Sequence, residues 1–250
     1  MPAPARWTAL IPARLASTRF PEKVLAADTG RPMIVHVCEA AARAACVDRV
    51  VVAADHERIA KAVRDAGFDA VLTSPEHPNG SSRLAEATTL LGLPDEAFVV
   101  NVQGDEPELP PEPIEAAAAM MERNSGSVLA MTTVAAPFTP DEDPDDSNIV
   151  KVTLRADGRA LYFSRSRIPF ERTPGAAPTL KHAGLYASTA GFLRTYAGLA
   201  PTPLEQAERL EQLRVLEHGY ELGVAVVPFT SHGVDTAEQY QAFVRRYRTS

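Results

Sequence analysis

Residues 7–23 read WTALIPARLASTRFPEK, an apolar run that gives way at Pro12 to a loop carrying three cations. Trp7 to Pro12 has the length and composition of a buried strand. Arg14, Arg19 and Lys23 follow it within ten residues, ahead of the next apolar stretch. In an open parallel sheet, ligands bind beyond the carboxyl ends of the strands, so a strand leading straight into a basic loop marks a candidate anion site. Arginine supplies forked donors and lysine a point charge, both suited to phosphate oxygens. The loop PARLASTRFPEK is neither GxGxxG nor GxxxxGK[ST], which argues against dinucleotide-binding and P-loop readings. Taken alone, a loop with three basic residues is more often a solvated surface.

Outward from this stretch, short apolar runs alternate with longer amphipathic ones, the pattern of an α/β sheet with helix crossovers. Strands are expected at Arg49 to Ala53, Ala70 to Leu72, Phe98 to Val102 and Ser127 to Val134. Helices are expected at Pro32 to Ala45, His56 to Ala66, Ser82 to Leu91 and Pro111 to Arg123. The segment Pro137 to Ser147 reads as an exposed acidic connection. Strands at Ile149 to Leu154 and Ala160 to Ser164 flank Asp157-Gly158, a hairpin signal. A Pro/Gly/Ala-rich loop at Thr173 to Pro178, a strand at His182 to Ala187, and one long helix at Leu204 to Glu217 stopped by Gly219 come next. The last strand, Glu221 to Pro228, precedes a helix from about Thr236 to Arg248. The expected organisation is one domain over residues 1–250, with about 149–190 as an inserted hairpin region.

The 250 residues are 45% hydrophobic and carry a formal net charge of −7. That balance disfavours generic binding to nucleic acid or an anionic membrane, and requires a local basic site for any anionic substrate. The N-terminal MPAPARWTALIPAR lacks a leader pattern and no run approaches a membrane span, so a cytosolic protein is expected. Cys38 and Cys46, eight residues apart, read as core fillers rather than metal ligands or a disulfide.

Two further segments carry candidate chemistry. In NVQGDEP (Asn101 to Pro107), Gly104 lets the chain turn sharply and Asp105 falls at a strand end, a usual place for a hard-cation ligand. Asp105 and Glu106 could equally cap that turn. In Val234-Asp235-Thr236, Asp235 precedes a helix and could be its N-cap. Magnesium takes one or two carboxylates and fills its shell with water and substrate phosphates, so Asp105 and Asp235 would make a pair if the fold joined them. HPNGSSR (His77 to Arg83), Arg165, His182, and Glu211 with Gln212 are weaker candidates.

Taken together, IPARLASTRFPEK, GRPMIVHV, NVQGDEP, NIVKV, ALYFSR, HAGLY, LEQLRVLE and GVDT resemble, in order and spacing, the 3-deoxy-manno-octulosonate cytidylyltransferases, or CMP-Kdo synthetases, over nearly the whole chain. The resemblance implies a nucleotide-diphospho-sugar transferase fold, mixed and mostly parallel, in a homodimer to which the hairpin region contributes. It implies attack of the anomeric hydroxyl of Kdo on the α-phosphorus of CTP, giving CMP-Kdo and pyrophosphate for lipopolysaccharide synthesis. By that likeness Arg14, Arg19 and Lys23 hold the triphosphate, Ser81 and Arg83 lie near the cytidine, and Asp105 and Asp235 bind Mg²⁺. Arg14, Lys23, Asp105 and Asp235 would be the catalytic set. Gln103, shared with the nucleotide, would line the sugar-acid pocket with Arg165, His182, Tyr186, Glu211 and Gln212.

The chain departs from the family pattern where Glu22 and Val24 replace Gly and Pro, Ser82 replaces an acidic residue, Lys181 replaces Arg, and Ser188 replaces an aromatic one. Glu22 puts a carboxylate beside Lys23 and could weaken triphosphate binding unless it points away. Transfer to a related sugar acid, such as an amino-substituted Kdo or a nonulosonic acid, and a non-catalytic nucleotide-binding homologue remain open readings of the sequence.

Overall fold

The strand that opens the chain, β1 (Trp7–Ala13), lies inside the sheet between two parallel neighbours, β2 (Val47–Ala54) and β4 (Phe98–Asn101). Both faces of the sheet are covered, so β1 is nearly continuously apolar, with Ala9, Leu10 and Ile11 fully buried. The computed structural model describes residues 6–124, 128–173 and 175–249. The start of the expected strand at Ser127, and Pro174 in the expected loop, lie outside them.

The remaining strands are β3 (Asp69–Leu72), β5 (Leu129–Pro137), β6 (Lys151–Leu154), β7 (Ala160–Ser164), β8 (Leu180–Thr189) and β9 (Glu221–Val226). The order across the sheet is β3-β2-β1-β4-β8-β5-β9, with β6 and β7 attached to one side of β8. Pairings are parallel except those made by β8 and the β6–β7 hairpin. Six strands of that path therefore end on one side, and β8 alone begins there. The loops after β1, β2, β4 and β9 and the start of β8 converge at this edge, where a site is expected.

The helices α1 (Met33–Ala42), α2 (Glu57–Asp65), α3 (Gly80–Leu90) and α4 (Pro111–Arg123) fall within a few residues of expectation, as does the last helix, α8 (Ala237–Thr249). Pro32 and His56 precede α1 and α2 as their caps, His56 Nδ1 accepting from the Arg58 amide. Helix α5 (Ala190–Ala197) was not expected; Thr189 caps it by accepting from the Phe192 amide.

One expectation is overturned. The segment Leu204 to Glu217 is two short helices, α6 (Pro203–Glu208) and α7 (Gln212–Glu217), separated where Arg209 turns left-handed (φ 54°). A tertiary pair overrides the amphipathic stripe: the buried Glu205 carboxylate takes the Arg214 guanidinium at 2.7 and 2.5 Å, and the break sinks Leu210 into the core. Gly219 terminates α7 at φ 79°, as its position implied.

The β6–β7 hairpin turns at Gly158 (φ 83°). It is anchored by Lys151, which has no exposed surface and gives its ammonium to the carbonyls of Asp146, Ile149 and Arg165. The lysine of NIVKV is thus a structural tie, since an unsatisfied buried ammonium would be very costly. Cys38 is buried, Cys46 half-buried, and both are free.

Candidate active site

At the convergent edge lies a cavity of about 570 Å³ whose wall includes Arg14, Arg19, Lys23, Gln103, Asp105 and Asp235. Three loops meet in its wall at Lys23. Lys23 Nζ sits 3.1 Å from Asp105 Oδ2, 2.9 Å from Asp235 Oδ1 and 2.8 Å from the Val234 carbonyl. Arg19 takes the other Asp235 oxygen at 2.8 Å. The Val234 amide donates to the Asp105 carbonyl at 2.8 Å, which locks the GVDT and NVQGDEP segments together. Residues 82 and 212 positions apart from Lys23 are so brought to one cation.

Asp235 is not the cap of α8. Thr236 Oγ1 accepts from the Gln239 amide, and Gln239 Oε1 takes the amides of Asp235 and Thr236, leaving the Asp235 carboxylate for the cavity. Gly104 is needed for a different reason from the one its sequence suggests. It is not left-handed; a Cβ there would lie 2.5 Å from the Pro12 carbonyl oxygen. The residue lets the loop that carries Asp105 pass against the end of β1.

Glu106, next to Asp105, hydrogen bonds with Ser231 and lies near the carboxylates of Asp105 and Asp235. Burial, assisted by those charges, pushes its carboxyl up to about 7. Glu22 points away from the cations: its carboxylate takes both arms of Arg58 at 2.6 and 2.8 Å, and that guanidinium holds it below the usual carboxylate range. Its left-handed backbone (φ 54°) accounts for the glycine of the family pattern at this position.

Gly80 and Arg83 also line the cavity. Asn79 caps α3 through the Ser82 amide at 2.9 Å, which positions the HPNGSSR turn. Arg83 is buried and tied at 2.7 Å to Thr73 Oγ1 and at 3.1 Å to the Ser74 carbonyl, with Asp55 at 3.9 Å; burial lowers its pKa. It braces the wall more than it reaches from it. Ser81 donates at 2.7 Å to Glu211 Oε2, so this expected cytidine neighbour is coupled to an expected sugar-pocket residue. Burial raises the Glu211 carboxyl.

Glu211 also borders a second, much smaller cavity of about 20 Å³ with Tyr186, Gln212, Asn101, Ser188 and Tyr196. Tyr186 donates to Gln212 Oε1 at 3.1 Å, and Tyr196 to the Glu211 carbonyl at 3.1 Å. The buried Ser188 opens this space, and the buried Asn101 Oδ1 beside it has no hydrogen-bond partner among the described residues.

The HAGLY segment is a bulge. Thr133 of β5 pairs with Tyr186, yet the next residue, Val134, pairs with Ala183. The displaced Gly184 carbonyl receives Gln103 Nε2 at 2.9 Å, joining β8 to the NVQGDEP loop. Thr133 gives its single hydroxyl proton to a backbone carbonyl (Leu185 O, 2.6 Å), so His182 Nε2, 2.9 Å away, is the donor in their contact. Enclosed by Phe163 and Tyr186, His182 has its pKa lowered by burial to about 3.

Arg165 lies outside both cavities. Its guanidinium donates to the carbonyls of Glu208 (2.8 Å) and Ser147 (3.0 Å). Asp55, Arg58 and Ser231 escaped the sequence reading because each acts through a partner distant in the chain and sits in no motif.

Residues 8–222 match the cytidylyltransferase family. The chain is 48% identical over 241 residues to the 3-deoxy-manno-octulosonate cytidylyltransferase of Syntrophobacter fumaroxidans, covering 96% of each. It is 49% identical to the enzyme of that name from Anaeromyxobacter sp. (strain K), covering 93% of each. The chain belongs to the 3-deoxy-manno-octulosonate cytidylyltransferase family. A CMP:2-keto-3-deoxy-manno-octonic acid synthetase solved in complex with CTP superposes with a TM-score of 0.90 at 35% identity, covering 98% of this chain and 99% of that one. A cytidylyltransferase from Leptospira borgpetersenii, 13% identical with a TM-score of 0.62, shares the fold.

Proposed function

We propose that this chain transfers the cytidylyl group of CTP to 3-deoxy-D-manno-octulosonate, releasing CMP-Kdo and pyrophosphate. The observation that carries the reading is the meeting of Lys23, Asp105 and Asp235 in a basic-walled cavity at the carboxyl edge of the sheet, in a chain nearly half identical to enzymes of that name. Arg14 and Arg19 neutralise the triphosphate, and Lys23 ties its loop to the two carboxylates. Tyr186, Glu211, Gln212 and Gln103 orient the sugar acid. His182, a neutral donor to Thr133, shapes the sugar side and takes no proton. Arg165 supports the sugar side by fixing the hairpin to the turn between α6 and α7. Transfer of this kind needs alignment and charge neutralisation more than a protein nucleophile.

Among the described residues there is no group of three or more His, Cys, Asp or Glu fit to hold a metal alone. Two carboxylates converging on one cation fit Mg²⁺, which completes its shell from water and phosphate. Asp105 and Asp235 would hold it beside the bound nucleotide, and it would supply charge neutralisation on the phosphate oxygens. Phe170, 89% exposed, and Leu161, 58% exposed, lie on the hairpin side and support a homodimer formed there. No helix among the described residues is long and apolar enough to cross a membrane. The activity proposed is that of a cytoplasmic enzyme of lipopolysaccharide precursor synthesis.

Purified protein given CTP, Mg²⁺ and Kdo releases pyrophosphate under this reading, and silence across pH and metal conditions rejects it. Amino-substituted Kdo and a nonulosonic acid, run in parallel, fix the sugar.

A further inference from the structure

Segment 55–58 grips the basic loop at three points. The Asp55 amide donates to the Ala13 carbonyl at 3.2 Å, and Asp55 Oδ1 accepts from the Leu15 amide at 2.9 Å. At the far end of the loop, Arg58 takes both oxygens of Glu22. Glu22 is one of two described non-glycine residues with positive φ, and its carbonyl accepts from Leu25 to start the 3₁₀ turn that holds Lys23. Its side chain borders a groove with Asp55 and His56, on the other side of the loop from the cavity that Lys23 lines. The two hollows share Arg14, Ser17 and Thr18, so the loop is the wall between them.

We infer that Arg58 is a positioning residue for nucleotide binding, holding the Glu22 carboxylate on the outer side of the loop so that it does not compete with the triphosphate for Arg14, Arg19 and Lys23. The inference rests on the triphosphate reading of that loop. Both partners are about half exposed, so their pairing contributes little to global stability. Its effect is on which side of the loop one negative charge stands relative to a polyanion bound in the cavity. Glycine at position 22 would suit the left-handed backbone and remove the charge together, making Arg58 dispensable.

Steady-state kinetics with CTP varied test this in Arg58→Met, Glu22→Gly and the double variant, with thermal melts alongside. Arg58→Met is expected to raise the KM for CTP about fivefold, with kcat and Tm close to the parent values. Adding Glu22→Gly returns that KM to the parent value. An unchanged KM in Arg58→Met, or a raised KM that persists in the double variant, overturns the inference. Arg14→Met separates the two levels. If it raises the KM for CTP while Arg58→Met does not, the positioning role alone fails; if neither moves it, the triphosphate reading fails as well.

Discussion

Lys23 is the residue on which the site closes. Among its neighbours, two carboxylates and a carbonyl surround one ammonium, a balance that stabilises the loops before any substrate arrives. Removing one carboxylate charge leaves the local count less negative and deprives a phosphate-bound cation of a ligand. Asp105→Asn is therefore expected to lower kcat on the order of 10²-fold or more, with the melting temperature within a few degrees of the parent because the side chain packs against no core. Near-parental kcat would remove Asp105 from the proposed metal pair. His182 gives a second prediction. Its folded pKa of about 3 lies below the ordinary 6.5, so the unfolded chain takes up a proton at a pH where the folded chain does not. The stability this contributes is fully present above about 6.5 and is lost as pH falls from there towards 3. His182→Gln keeps a donor for Thr133 without the titration, so urea midpoints measured across that range should fall less steeply with acid than in the parent. Equal slopes would mean that the imidazole is solvated.

The end of β1 and the loop after β4 depend on each other through Gly104. A methyl there meets the Pro12 carbonyl at 2.5 Å, and backbone on both sides leaves no flexible atom to yield. Gly104→Ala is expected to cost about 1–3 kcal/mol of stability and to displace Asp105, with a larger fractional loss of activity than of folded protein at 25 °C. Full activity would show that the loop can shift without moving the carboxylate. This dependence marks what the sequence could disclose. Composition and period located β1, β4 and α4 because buried strands and capped helices leave local signatures. Asp105 and Asp235 stood out singly at a strand end and a helix start, and it is the fold that brings both to Lys23. The break at Arg209 was not, since the Glu205 to Arg214 pair that enforces it is a tertiary contact inside an amphipathic pattern. The bulge at Gly184 was hidden too: its cause is register against β5, which no single strand carries. Arg83 and Arg165 were visible as cations, but the partners that hold them, Thr73 and the Ser74 carbonyl for buried Arg83 and the Glu208 and Ser147 carbonyls for Arg165, sit in no motif.

The molecule as a whole carries a charge of −7, and the nucleotide it is proposed to bind is itself a polyanion. Long-range repulsion therefore opposes encounter, and affinity must come from the cluster on residues 14–23, helped by the proposed divalent cation offsetting the phosphates. A ligand that binds the folded chain alone stabilises it by about 2.7 kcal/mol at 100 times its Kd. For a chain near 250 residues each kcal/mol moves the midpoint by roughly 2–4 °C. CTP with Mg²⁺ at that saturation should thus raise the melting temperature by about 5–10 °C. The same CTP with EDTA should give a clearly smaller rise, because Asp105 and Asp235 then face the triphosphate with the single charge of Lys23 and no divalent cation between them. Lys23→Met should abolish most of the shift even with Mg²⁺, since two carboxylates lose the ammonium that holds them at the cavity wall. A shift that is the same with EDTA would show that the carboxylate pair acts through Lys23 alone and that metal enters, if anywhere, only with the sugar acid.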